Sequence, residues 1–151
     1  MSSIILAPIL LSMLSLVSSW ASAAPPVFSD VRPPANLSFP RDYGAHPDFR
    51  TEWWYVTGWL NTPDKKPLGF QVTFFRSATD HDVNNPSRFA PKQLIVAHAA
   101  LSDPDLGKLA HDQKIARAGF GLAQASEATT DLRLQQWTMQ RQSDSRYLIR
   151  L

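Results

Sequence analysis

The sequence predicts a mainly β protein, an antiparallel barrel or sandwich. Two observations carry this: bulky residues alternate with a period of two over residues 53–60 and 68–75, and Pro, Asn, Asp and Gly separate such runs at short intervals. No long segment sustains the 3.6-residue period of an amphipathic helix, and no repeat, coiled coil or low-complexity tract occurs.

The chain has 151 residues. Residues 4–17 form an apolar run interrupted by Pro8 and serines, short of the ~20 residues that span a bilayer. "SSWASAAPP" follows, with Ala21 and Ala23 in the small-x-small pattern of a secretory cleavage site, although no Lys or Arg precedes the run. Residues 1–23 therefore read as a signal peptide cut near Ala23, and the protein as exported and periplasmic. The absence of cysteine excludes disulfides and thiol-linked lipid. The net charge is +2, and no run of cations exceeds Lys65-Lys66, which argues against a nucleic-acid partner.

Six prolines between residues 25 and 47 deny that stretch a helix, so 24–51 reads as an extended entry arm. In the first strand Trp53, Tyr55, Thr57 and Trp59 point one way, and Trp54, Val56, Gly58 and Leu60 the other. "NTPDKKP" supplies a turn, and "LGFQVTFFRS" returns as the second strand of a hairpin. A polar loop, "ATDHDVNNPSRFAP", leads to a third strand, "KQLIVAHAALSD". Residues 103–114 read as turn-rich and "IARAGFGLAQASEA" as a short helix or an irregular crossing. "DLRLQQWTMQR" reads as a fourth strand whose change of phase implies a bulge near Gln135-Gln136. The end inside an alternating "RYLIRL" suggests a fragment.

The stretches "FPRDYGAHPDFRTEWWYVTGWL", "FQVTFFR" and "FAPKQLIVAHAALSD" resemble the AttH and carotenoid 1,2-hydratase (CrtC-like) family from about Phe39 to the last residue. Val56 stands where an aromatic is usual in the motif, and Phe89 where a tryptophan is common before Ala-Pro. The resemblance implies two consecutive lipocalin-like barrels, of which residues 52–151 form the first in part, with a second lipocalin-like domain missing. It implies either hydration of a terminal double bond in an acyclic carotenoid, or an exported accessory of an ABC transport system that binds a hydrophobic small molecule or lipid.

Hydrating an alkene needs a protonated acid, aromatic faces that tolerate a carbocation, and one water. Glu52, directly before Trp53-Trp54-Tyr55, has the composition for the acid, and equally for an ion pair with Arg50 or Arg76 that locks a strand end. His98, among alanines and aliphatics, suits a proton relay or a hydrogen-bonded core histidine. Trp53, Tyr55 and Phe75 are candidate ligand contacts and Arg76 a partner for an anionic headgroup, while Trp54 reads as packing. The four histidines show no close pairing, so no metal is expected, and no cofactor. "GFG" at 119–121 lacks the third glycine of a dinucleotide fingerprint, and no nucleophile elbow or P-loop occurs; "NLS" at 36–38 fits the glycosylation acceptor pattern.

Overall fold

The computed structural model describes residues 26–82 and 84–151; the signal-peptide reading lies outside them. Eight strands form two antiparallel four-stranded sheets: β1 (Thr51–Asn61), β2 (Pro67–Ala78), β3 (Gln93–Asp103) and β4 (Lys108–Arg117) in the first, and β5 (Ala123–Ala125), β6 (Asp131–Leu134), β7 (Trp137–Arg141) and β8 (Tyr147–Arg150) in the second. Both sheets are simple meanders in sequence order, and neither closes on itself. The architecture is mainly β, consistent with an incomplete lipocalin-like sandwich.

The long hairpin follows the expected alternation, with Trp54 opposite Phe74 and Trp53 opposite Phe75. Trp54, Val56, Phe70, Val72, Phe74, Ile95, Ala97 and Ala99 turn towards the second sheet. They meet Ala123, Leu132, Leu134, Trp137 and Met139 from its inner face. Phe74, Ala97 and Leu134 have no exposed surface, so the core is driest where β2 and β3 cross β6. Trp54 packs against this core, as expected of a large aromatic.

Two local expectations are corrected. Residues 108–117 are strand β4, in register with β3 from Leu94↔Arg117 to Asp103↔Lys108, where a turn-rich region running into a helix or irregular crossing was expected. The polar "KLAHDQK" pattern hid this strand, because an edge strand with one side to solvent lacks the apolar repeat that marks a buried one. The single fourth strand with a bulge is instead the hairpin β6–β7, with Leu134 paired to Trp137 across Gln135-Gln136. Gln135 takes a positive φ of 56°, as tight two-residue hairpin turns require at their first position. A reversal of direction and a bulge produce the same parity shift in sequence, and only cross-strand pairing separates them.

The arm before β1 closes one end of the sandwich. A 3-10 turn at Arg41–Tyr43 leads to Gly44, where a Cβ would lie 2.0 Å from the Glu127 carbonyl oxygen. Ala45 N donates to Ser126 O (2.8 Å) and Thr130 Oγ1 donates to Tyr43 O (2.7 Å), tying the arm to the second sheet. At the other end of the first sheet, Lys66 in the β1–β2 turn pairs with Asp103 (2.6 Å) and Asp105 (2.5 Å).

Candidate functional site

The six sequence candidates separate by strand parity into two groups on opposite faces of the first sheet. Glu52 and Arg76 face inwards at the closed end, as cross-strand partners. Arg76 is wholly buried. Its Nε donates to Glu52 Oε1 (2.5 Å), and Nη2 donates to the carbonyls of His46 (2.9 Å) and Phe49 (2.6 Å). Glu52 also accepts from His46 N at 2.8 Å and 3.0 Å, one bond to each oxygen, and its Oε2 lies 3.1 Å from His46 Nδ1. His46 Nε2 in turn lies 3.1 Å from Asp42 Oδ1, and Asp42 accepts from Arg41 Nε (2.6 Å) and Ser38 N (2.5 Å). A continuous polar chain thus runs from β2 through β1 into the arm. The Asp42 bond is the main cause that raises the His46 pKa, with Glu52 adding to it, while Arg41, Ser38 and His46 hold the Asp42 carboxyl well below its usual range. Of the pairings left open for Glu52, Arg76 is the one formed; Arg50 pairs with Asp80 (2.5 Å). Asp42 and His46 were missed as parts of this group because they join it through the fold of the arm, without a spacing motif.

Trp53, Tyr55, Phe75 and His98 share the opposite, outer face. Trp53 and Tyr55 are 59% and 62% exposed, and Phe75 meets His98 edge-to-face with centroids 5.6 Å apart. Five four-strand rows build this face: Thr51–Ser77–Leu94–Arg117, Trp53–Phe75–Val96–Ile115, Tyr55–Thr73–His98–Gln113, Thr57–Gln71–Ala100–His111 and Trp59–Gly69–Ser102–Leu109. Arg117, in the row nearest the arm, is the one charged side chain in them, and depletion of charge with aromatic enrichment is the composition of a contact surface. The aromatic candidates therefore do come together, but with a sheet between them and the Glu52 carboxylate.

A separate apolar cleft of about 680 Å³ opens between the sheets at the end away from the arm. Leu60, Phe70, Val72, Ala99 and Leu101 line it from the first sheet, and Trp137, Ile149 and Leu151 from the rest of the chain; Asp112 stands at its side. None of the six sequence candidates lines it. Its residues lacked a recognisable signal because they read as ordinary core positions. Among the described residues no group of three or more His, Asp or Glu side chains is placed to hold a metal, and no helix is long and apolar enough to cross a membrane.

The AttH-like family matches residues 30–151. The chain belongs to the AttH-like family. A crystal structure of a protein assigned as an AttH from Nitrosomonas europaea is similar to this AttH-like chain at 58% identity and a TM-score of 0.70. The match covers 82% of this chain and 36% of that protein, so the chain described here spans about a third of that relative's length. Among curated proteins none matches.

Proposed function

We propose that this AttH-like chain binds an apolar, chain-like molecule in the cleft between its sheets, as an exported carrier serving an ABC transport system. The apolar cleft carries the reading. At about 680 Å³ it falls within the range of small-molecule sites, and its walls are Leu, Phe, Val, Ile and Trp with few polar groups to demand a partner. The arm and the Glu52–Arg76 pair occupy the opposite end of the sandwich, away from the cleft.

Fluorescence titration with N-phenylnaphthylamine and with a long-chain fatty acid tests it. Saturable, mutually competitive binding is expected, and it should disappear in Ala99→Trp, which fills the cleft without touching the arm. Absence of saturable binding by a folded chain would refute the proposal, as would unchanged binding by Ala99→Trp.

The grouping of Trp53, Tyr55, Phe75 and His98 favours a second reading, hydration of a terminal alkene on the outer face. Aromatic rings there would stabilise a cation and His98 would move a proton, once a covering element such as the second lipocalin-like domain expected from the family excluded bulk water. Mass spectrometry after incubating lycopene with a protein of the relative's full length would reveal the hydroxylated product; its absence would leave the carrier reading.

A further inference from the structure

We propose that the β3–β4 corner at the closed end, carrying Phe89 and Phe120, docks this protein on an anionic lipid surface. Phe89 is 80% exposed and Phe120 53% exposed, yet the two rings stack on each other with centroids 5.9 Å apart and planes 23° from parallel. They come from separate segments, the loop before β3 and the turn after β4, so the pair is a product of the fold. Beside them lies a hollow of about 390 Å³ whose lining includes Arg88, Lys92 and Arg117 and no Asp or Glu.

The cations are held in place. Arg117 donates through Nη1 to Phe89 O (3.0 Å) and through Nη2 to Arg88 O (2.8 Å), which fastens the loop to the end of β4. Its guanidinium also lies 4.8 Å from the centre of the Phe120 ring, and that of Arg88 lies 5.5 Å from it. Arg117 Nε is buried without a hydrogen-bond partner among the described residues.

The backbone supports the same reading. Phe120 has a φ of 53°, between Gly119 at 94° and Gly121 at 73°. A bulky residue rarely adopts this left-handed conformation, and strain of this kind persists where the surrounding structure imposes it, often at functional sites. Here it turns an aromatic ring outwards. Exposed aromatics flanked by cations match the interface of an anionic bilayer, where rings sit at headgroup level and each cation gains from the surface potential. The cations form a compact cluster without a stripe that could track a polynucleotide. The corner lies at the start of β3 and the end of β4, whereas β3 and β4 line the cleft at Leu101 and Ala110 towards their other ends, so the two surfaces are separate. The inference does not depend on the cleft holding a ligand.

Vesicle flotation with the full chain tests the proposal, comparing pure phosphatidylcholine with a mixture of phosphatidylcholine and phosphatidylglycerol. Binding is expected to the mixed vesicles alone and to weaken as salt is raised. Arg88→Ala should weaken it about fivefold, the equivalent of ~1 kcal/mol for one cation at an anionic surface. Phe89→Ala should weaken it at unchanged salt dependence, and Phe120→Gly, which removes the ring while relieving the left-handed strain, guards against misfolding. Equal binding to both vesicle types, no binding to either, or binding unaffected by Arg88→Ala and Phe89→Ala would overturn the proposal. Saturable binding of inorganic phosphate without vesicle association would assign the hollow to a free anion, and a dimer dissociated by Phe89→Ala would assign the rings to a second copy. Either result also overturns it.

Discussion

Arg76 and Glu52 form the ion pair of the closed end: Nε meets Oε1 at 2.5 Å while Nη2 holds the His46 and Phe49 carbonyls. One guanidinium therefore fixes both the start of β1 and the last turn of the arm.

Removing Arg76 takes the guanidinium from Glu52 and the donor from the His46 and Phe49 carbonyls, and breaking such a pair around a buried charge typically costs ~3–5 kcal/mol. Arg76→Met should lower unfolding stability by about 3 kcal/mol or more, and the double variant Glu52→Gln/Arg76→Met should cost less than the two single changes added together. Urea denaturation gives all three values. Additive losses would mean that the two side chains do not act as a pair.

His46 places one ring nitrogen against Asp42 and the other against Glu52, and only the imidazolium can donate to both. Its folded pKa is raised above 6.5, first by Asp42 and then by Glu52, so its contribution is fully present below pH 6.5 and is lost as pH rises through the folded value. Asp42 is lowered from 3.8, so its contribution is present above pH 3.8 and is lost only as pH falls through the lower folded value. Denaturation midpoints should therefore be highest between these limits and decline on the alkaline side. In His46→Gln that alkaline decline should vanish; its persistence would place the responsible group elsewhere.

Gly44 is required by space and not by dihedral angle, since its φ of −88° suits any residue. A Cβ there would lie 2.0 Å from Glu127 O, a backbone atom that cannot swing aside. Gly44→Ala should cost at least the ~1–3 kcal/mol of overpacking, and should expose the arm to limited proteolysis before the sheets unfold. Simultaneous cleavage of arm and sheets would show that the arm is not a separate unit.

Gln135 offers the opposite change. Its left-handed backbone carries a penalty of roughly 1 kcal/mol that glycine does not incur. Gln135→Gly should raise the thermal midpoint slightly, by an amount corresponding to less than ~1 kcal/mol once the greater freedom of the unfolded glycine is included. A loss of stability would mean that the side chain makes a contact worth more than the strain.

The alternation of the first hairpin was legible because pairing and side-chain parity are properties of a few neighbouring residues. Trp53 and Tyr55 had to oppose Trp54 wherever the strand lay. Strand β4 was not legible, because Leu109, His111 and Gln113 point to an exposed face and give no apolar rhythm. The turn at Gln135-Gln136 was not legible either, since without Gly or Asn it looked like strand.

The sequence by itself determined the β class, the strand parities and the family motif, all of which arise from residues close along the chain. The tertiary structure decided which parity became interior, and with it the role of every candidate. It carried Arg76 to a glutamate 24 residues away, brought Trp137 of the second sheet over the cleft, and left Trp53, Tyr55 and His98 outside. The physical reason is that alternation fixes two faces but not their environment; that choice belongs to whichever sheet packs across them.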